Sequence, residues 1–402
     1  VLVVPIAPDT GGNGLAMRAG MLLEALASRW SVDLVLVPIA GPPRLGPWAA
    51  LRVRKAAFVE PVEAGELLDH MTAQLADPFL RERLAASAPL PARVKTATPT
   101  LANRAVALLG EPAQRPRAVF VFRGYLAPLG CTLAHRLAAE RIVVDLDDDD
   151  EAFERSAGAP EEADAIARTS RAWLPDADAV CAAAETDAEA MTARYGLRKV
   201  VTIPNAVHPP AGPPTQPPGQ DRLLFVANFT YEPNLTAAAW LLDDVLPLVR
   251  AAHPQVTLEL VGRHDGRLAP GPGVLVRGFV DDLEPHYHAS DIAIAPLLHG
   301  SGTRVKVLEA FAYGRPVAAT TVAIAGLAVA DGREVLIGDS PAELARAIVT
   351  LLEDRGLAAR IAMQARRTLD ARYVHNVVAP LIRDLVAPGR RERPADVTNE
   401  PR

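Results

Sequence analysis

The stretch from Leu297 to Pro316, LLHGSGTRVKVLEAFAYGRP, holds the residue types and spacing that anion chemistry needs. A strand expected over Ile292 to Ala295 ends at Pro296, a small-residue loop (Gly300-Ser301-Gly302-Thr303) follows, and a helix with apolar periodicity opens after it. A helix start leaves orphan N–H groups and a positive dipole end pointing at whatever occupies the loop, and glycine lets a phosphate approach the backbone. Arg304 and Lys306 add two cations to the first turn, where they oppose the dipole and so ask for an anion. Arginine suits a forked pyrophosphate contact and lysine a point-charge one. Gly314 is placed as the left-handed stop of this helix, with Pro316 beyond it. The stretch is not a Rossmann fingerprint, because Val305 stands where the third glycine would be, and no Gly-Lys-Ser/Thr makes it a Walker loop. A plainer reading also stands: a tight strand–helix turn, with Lys306 and Glu309 as a surface i,i+3 pair worth a few tenths of a kcal/mol.

A second constellation is the acidic run Asp145-Leu146-Asp147-Asp148-Asp149-Asp150-Glu151, which follows an apolar strand over Ile142 to Val144. Carboxylates so crowded repel unless solvated, paired or metal-bound. An Asp-x-Asp pair could hold Mg²⁺ or Mn²⁺ through oxygen ligands, or the run could be a solvated helix start, where acids favour the dipole. Arg123, ending another strand, could meet an acceptor phosphate or pair with these acids. The histidines show no helical metal-ligand spacing. His286 and His288 point to different faces, and His299 borders the glycine loop as a donor-contact candidate.

The elements that must position these groups read as two α/β halves. The first opens with a strand (Val1 to Ile6), the loop Asp9 to Gly14 and a helix, then strands at Val32 to Val37, Val119 to Phe122, Ile142 to Leu146, Ala179 to Ala182 and Val200 to Ile203. Buried parallel strands read as such continuous apolar runs. Pro209 to Gly219, PPAGPPTQPPG, is a semi-rigid linker about which the halves would close. The pattern then restarts with strands at Leu223 to Ala227, Thr257 to Val261, Val274 to Arg277, Ile292 to Ala295, Pro316 to Thr320 and Val335 to Ile337. Helices are expected over Thr236 to Arg250, Pro341 to Leu352, Gly356 to Tyr373 and His375 to Leu385. The expected organisation is a first domain over 1–208, the linker 209–219, a second domain over 220–387 whose last helix packs back on the first, and a polar tail over 388–402. Open α/β sheets bind ligands at their carboxyl edges, and two such edges can face one cleft.

These motifs, in this order, resemble the GT-B glycosyltransferases of family 4, the glycosyl transferases group 1, in a subgroup with the signature Gly-Ser-Gly-Thr-Arg-x-Lys-x-Leu-Glu-Ala. Gly11-Gly12, Ile203-Pro204-Asn205-Ala206-Val207, Leu260-Val261-Gly262, Gly278-Phe279-Val280-Asp281-Asp282-Leu283, Ala289-Ser290-Asp291 and Gly326-Leu327 agree with the pattern. The resemblance is strong over residues 223–340 and weak over 40–115. It implies a GT-B fold of two doubly wound Rossmann-like domains facing a cleft. It implies that Glu309 binds the ribose hydroxyls, that Gly302 and Thr303 meet the diphosphate, that Gly278 to Val280 bracket the base, and that Gly12, beside Gly11, lies near the phosphates and the reaction centre. Two departures stand out. The family's first glutamate falls at Ser301, and its usual Arg and Lys after the first strand of the second domain are missing, where Asn228 and its neighbours stand instead. Arg304 and Lys306 are inferred to supply that charge. In the resembling family the acidic loop lies at the cleft, so Asp145, Asp147 and Asp148 become candidates for acceptor hydroxyls, with Asp148 as a base candidate.

Composition is consistent with this reading. The chain has 402 residues, 50% hydrophobic and 22% charged, with a net charge of −6, which suits two domains of roughly 200 residues and suggests no nucleic-acid partner. Cys131 and Cys181 are expected as buried free thiols in a reducing compartment. No secretory leader and no membrane span are expected. The basic residues scattered over 44–60 and 81–117, among them Arg52, Arg54, Lys55, Arg81, Arg83, Arg93, Lys95 and Arg104, read as a solvated helix face rather than a membrane-lying one. The expected function is retaining transfer of a sugar from a nucleotide-diphosphate donor, UDP- or GDP-linked, to a saccharide, lipid-linked or small-molecule hydroxyl. No metal and no other cofactor are expected, and the setting is cytoplasmic, with peripheral membrane association open. The rivals are a sugar-nucleotide epimerase on the same scaffold and a non-catalytic nucleotide-sugar-binding protein.

Overall fold

In a computed structural model, the protein is described over residues 1–12, 14–39, 43–60, 77–92, 101–110, 114–198, 200–212, 214–299 and 304–387. The loop Gly300 to Thr303, Arg93, Lys95 and the tail from Pro388 lie outside these residues. Strands β1 (Leu2–Val4), β2 (Val32–Leu36), β3 (Val53–Phe58), β4 (Val119–Phe122), β5 (Ile142–Asp145), β6 (Ala179–Ala182) and β7 (Val200–Thr202) form one parallel sheet in the order β3-β2-β1-β4-β5-β6-β7. Strands β8 (Arg222–Val226), β9 (Thr257–Val261), β10 (Val274–Arg277), β11 (Ile292–Ala295), β12 (Val317–Ala319) and β13 (Leu336–Ile337) form a second, in the order β10-β9-β8-β11-β12-β13.

Both sheets are buried on both faces, which is why their strands read as unbroken apolar runs. Val3, Val35, Val121 and Val144 enter one core of the first sheet, while Leu2, Leu34, Phe120 and Val143 enter the core on its other face. The second sheet divides in the same way, with Leu258 and Ile294 on one side and Leu224 and Ala293 on the other. The last helix, His375–Val386, leaves the second domain and gives Val378, Ile382 and Leu385 to the first-domain core, against the helix Gly14–Ala27. That first helix lies close to the loop before it: a Cβ on Gly20 would stand 2.0 Å from the carbonyl oxygen of Asp9, so only glycine fits there.

Residues 44–60 correct the expectation of a solvated helix face. Val53–Phe58 is the edge strand β3, paired with β2. Charge on an edge strand discourages pairing with other chains, and here it is also used. Arg54 is ion-paired with Asp33, and Lys55 Nζ donates to the Leu109 carbonyl at 2.7 Å. The helix expected over Thr236 to Arg250 begins at Glu232 instead. It widens to a π-turn over Leu241–Val245 and resumes as Leu246–Ala252. Pro247 has no N–H to give the ladder, and the widened turn precedes it. The proline-rich linker is strapped to the second domain. Arg315 donates to the carbonyl and, at 2.9 Å, to the hydroxyl of Thr215, and Asp291 accepts from the backbone of Gly219 and Gln220.

Arg18 is fully buried in a helix whose one other charged residue is Glu24. Its Nε and Nη2 donate to the two Asp145 oxygens at 2.8 Å each, and its Nη1 donates to Asn205 Oδ1 at 3.0 Å. One guanidinium thus ties the first helix to the end of β5 and to the chain leaving β7. Replacing Arg18 with Ala strands the Asp145 carboxylate in the core, so urea unfolding should show a loss of about 3–5 kcal/mol. The double variant Arg18→Met/Asp145→Leu should recover most of it.

Candidate functional site

In the first sheet the strand order reverses between β1 and β4, and in the second between β8 and β11. Crevices at such switch points are where doubly wound sheets take ligands. The loops after β1 and β8 meet in a cleft of about 780 Å³ lined from both domains. Gly11 and Gly12, after β1, face Asn228, Phe279, Val280, Lys306 and Glu309 across it. Gly12 adopts φ +89° with open space around it, so the backbone conformation rather than crowding calls for glycine. A second cavity of about 390 Å³ is lined by Asp148, Asp187, Asn205, His299 and Arg304.

The helix after β11 runs over Val305–Ala312 and ends as expected at Gly314, with φ +68°. Its two cations part company. Lys306 faces the larger cavity and lies 3.4 Å from Glu309 Oε2, so the simple i,i+3 pair does form. Glu309 also accepts from the Tyr287 hydroxyl at 3.4 Å. Tyr287 is buried and stacked on Tyr313, with ring centroids 4.7 Å apart. Burial pushes its phenol well above the usual range, with Glu309 adding to the effect, so it stays a donor. Nothing in the sequence pattern pointed to Tyr287. Phe279 is 54% exposed, and the Arg263 guanidinium lies 5.1 Å from its ring centroid. Gly278 is exposed beside Phe279, and its carbonyl accepts from the Gly262 N–H at 3.2 Å. Asn228 Oδ1 accepts from the backbone N–H of Thr230 at 3.2 Å and from its hydroxyl at 2.9 Å.

Arg304 faces the smaller cavity, together with His299. Burial lowers its pKa, opposed by the charges of Asp148, Asp187 and Tyr231. Asp187 shifts upward, through burial and the nearby Asp149, with Arg304 opposing. Ser301, Gly302 and Thr303 lie outside the described residues.

The acidic run is neither solvated nor a row of acceptor contacts. Asp145 and Asp147, offered above as acceptor-side candidates, are 0% and 1% exposed and belong to an ion-pair network instead. Arg18 holds Asp145. Arg123, 7% exposed, pairs with Asp147 at 3.1 Å and Asp148 at 3.4 Å, and also with Asp150. Asp149 caps the helix Asp150–Ser156 by accepting from Ala152, and Arg194 reaches it at 2.7 Å. Arg123 therefore serves the acids rather than facing an acceptor. Arg123 and Asp147 both take positive φ, +81° and +64°, a strain of about 1–3 kcal/mol each for such residues, held in place by their mutual ion pair. A lone cation in the largely apolar run Leu15 to Leu23 was the legible sign of Arg18.

Asp148 is the member of the run that lines the cavity. Its carboxyl is pushed up to about 7, chiefly by burial and then by Asp147, with Arg123 opposing. A carboxyl whose folded pKa is raised favours folding at acid pH and loses that contribution as pH climbs from about 4 through about 7. Asp148→Asn should therefore raise Tm at pH 8, by about 2–4 °C for each kcal/mol recovered, and leave it unchanged near pH 4. A calorimetric scan at the two pH values checks both.

Residues 220–354 match the family model described as Glycosyl transferases group 1. An uncharacterized 44.6 kDa protein in the cps region of Klebsiella pneumoniae is 23% identical over 166 residues, 38% of this chain, so the match spans 42% of that relative's length. Among solved structures, sucrose-phosphate synthase from Thermosynechococcus elongatus superposes with a TM-score of 0.66 at 18% identity, covering 96% of this chain and 97% of that one. HepE of Anabaena in complex with UDP and glucose gives 0.64 at 14% identity, covering 96% and 99%. At such identities the likeness is one of fold. With two parallel sheets that each reverse strand order and whole-chain superposition on these structures, the chain has the GT-B fold, and its second domain matches the group 1 glycosyltransferase model over residues 220–354.

Proposed function

We propose that the chain is a family 4 glycosyltransferase that moves a sugar from a nucleotide-diphosphate donor to a hydroxyl acceptor with retention of configuration and with no metal ion at the reacting centre. The observation that carries this reading is the meeting of both switch points in one cleft, with Lys306 and Glu309 on one wall and Gly12 on the other. Glu309, set by Tyr287, would take the ribose hydroxyls. The exposed ring of Phe279 offers the base a stacking face. Lys306 in the larger cavity would offset charge developing on the leaving diphosphate, whose oxygen takes the proton of the attacking hydroxyl on the same face, and Arg304 would reach that charge from the acceptor side, through the smaller cavity. The acceptor would enter the smaller cavity, where Asp148 and Asp187 can accept hydrogen bonds from sugar hydroxyls. The HepE structures with UDP and with UDP-glucose make UDP the first nucleotide to try, with GDP next. The two buried free thiols, Cys131 and Cys181, fit a cytoplasmic setting. Among the described residues no helix is long and apolar enough to cross a membrane.

A thermal-shift series with UDP, GDP, ADP and dTDP, with and without Mg²⁺, tests the donor side. One nucleotide should raise Tm equally in both conditions, and Glu309→Ala should weaken its binding about tenfold or more, the worth of a charge-assisted hydrogen bond. No shift with any nucleotide would count against the reading, and a shift only with Mg²⁺ would count against the metal-free centre. Once a donor is identified, Arg304→Ala should lower kcat by about 10²-fold, with a smaller change in KM. Equal kcat with raised KM would assign Arg304 to ground-state binding instead.

A further inference from the structure

The chain crosses between the two sheets twice, and the crossings lie side by side. The outgoing one passes through Val207 and His208, and the returning one through Val374 and His375. Val207 and Val374 form a parallel β-bridge, with the Val207 N–H donating to the Tyr373 carbonyl at 2.9 Å and the His375 N–H to the Val207 carbonyl at 3.4 Å. In a parallel pair the residues that follow the bridge share a face. His208 and His375 do so, with ring centroids 4.9 Å apart and planes 25° from parallel.

The helix Gly14–Ala27 brings a carboxylate to the same point. Glu24 Oε2 lies 2.9 Å from His208 Nε2 and 3.8 Å from His375 Nδ1. One ligand atom from each of the three residues lies within 4.8 Å of the other two. Hydrogen bonding uses only part of this arrangement. Among the described residues, the buried Nδ1 of His375 has no hydrogen-bond partner.

We propose that Glu24, His208 and His375 form a binding site for a divalent transition-metal ion of the Zn²⁺ type. Two imidazoles and one carboxylate are an N,N,O donor set that suits Zn²⁺ better than Mg²⁺ or Ca²⁺. Metal–ligand bonds of about 2.0–2.2 Å need only small shifts of the existing triangle, opening the Glu24–His208 edge and drawing His375 in. The fourth position opens to solvent, because Glu24 and His208 line the cleft and the His208 side chain is 53% exposed. The ion would tie the first helix to both crossings, at the edge of the cavity that Lys306 also lines. The site does not depend on the transferase reading, since its three ligands play no part in it.

The test uses the full chain, stripped with EDTA, desalted and titrated with ZnCl₂ by calorimetry. One equivalent should bind, and His208→Ala, the half-exposed ligand whose loss leaves the core intact, should weaken it at least about tenfold. Glu24→Gln should do the same. Thermal unfolding of each metal-free variant confirms that the fold survives. CoCl₂ in place of zinc should give the visible bands of a low-coordinate N,O centre and no thiolate charge-transfer band. Failure to bind zinc, an affinity unchanged in His208→Ala, or a thiolate band pointing to Cys131 or Cys181 would each overturn the site.

Discussion

A guanidinium with no contact with water must be answered on every side, and Arg18 is answered by Asp145 and Asn205. Desolvating one charge costs several kcal/mol, which only well-placed partners repay. The consequence spreads outward. Asp147 lies 3.2 Å from Arg18 and 3.1 Å from Arg123, and Arg123 reaches Asp148 and Asp150 in turn. This chain of charges runs along the carboxyl ends of β4 and β5 and sets where the first-domain wall of the cleft stands. It also explains how a backbone can hold Arg123 and Asp147 at positive φ.

The formal cations of the two cavities, Lys306, Arg263 and Arg304, all come from the second domain, set among acids from both domains: Glu24, Asp281, Asp282 and Glu309 in the larger cavity and Asp148, Asp149 and Asp187 in the smaller. Arg304 is the N-cap and Lys306 lies two residues on, so they do not share a face. The helix start therefore splits its charge between two chambers, each of which sets a cation among acids. The upward shift of the Asp148 carboxyl belongs to the same division, since burial and a neighbouring carboxylate leave it the least committed acid of the run.

Much of this was legible in the sequence. Both sheets, the glycine-ended helix after β11 and the bridging role of the linker follow from local patterns of apolar runs, glycine and proline. The missing parts share a cause, which is distance along the chain. β3 hid behind Arg54 and Lys55, whose partners Asp33 and Leu109 lie on other elements. The acidic run looked like ligands because Arg18 and Arg194 are far from it in sequence and adjacent only once folded. Tyr287 reaches Glu309 from a different helix, and the stacked histidines meet only because two remote crossings pair. Periodicity reports which face of an element is buried, but not which side chain it will find there.

The placement of the last helix has a consequence for synthesis. Its residues Val378, Ile382 and Leu385 complete a core begun by the first strand and first helix, yet the whole second domain is translated in between. On a ribosome adding about 5–20 residues per second, the first domain waits on the order of ten seconds with an apolar groove uncovered along the helix Gly14–Ala27. The second domain is, in topological terms, an insertion into the first, and the nascent chain must protect that groove until the insertion has been made.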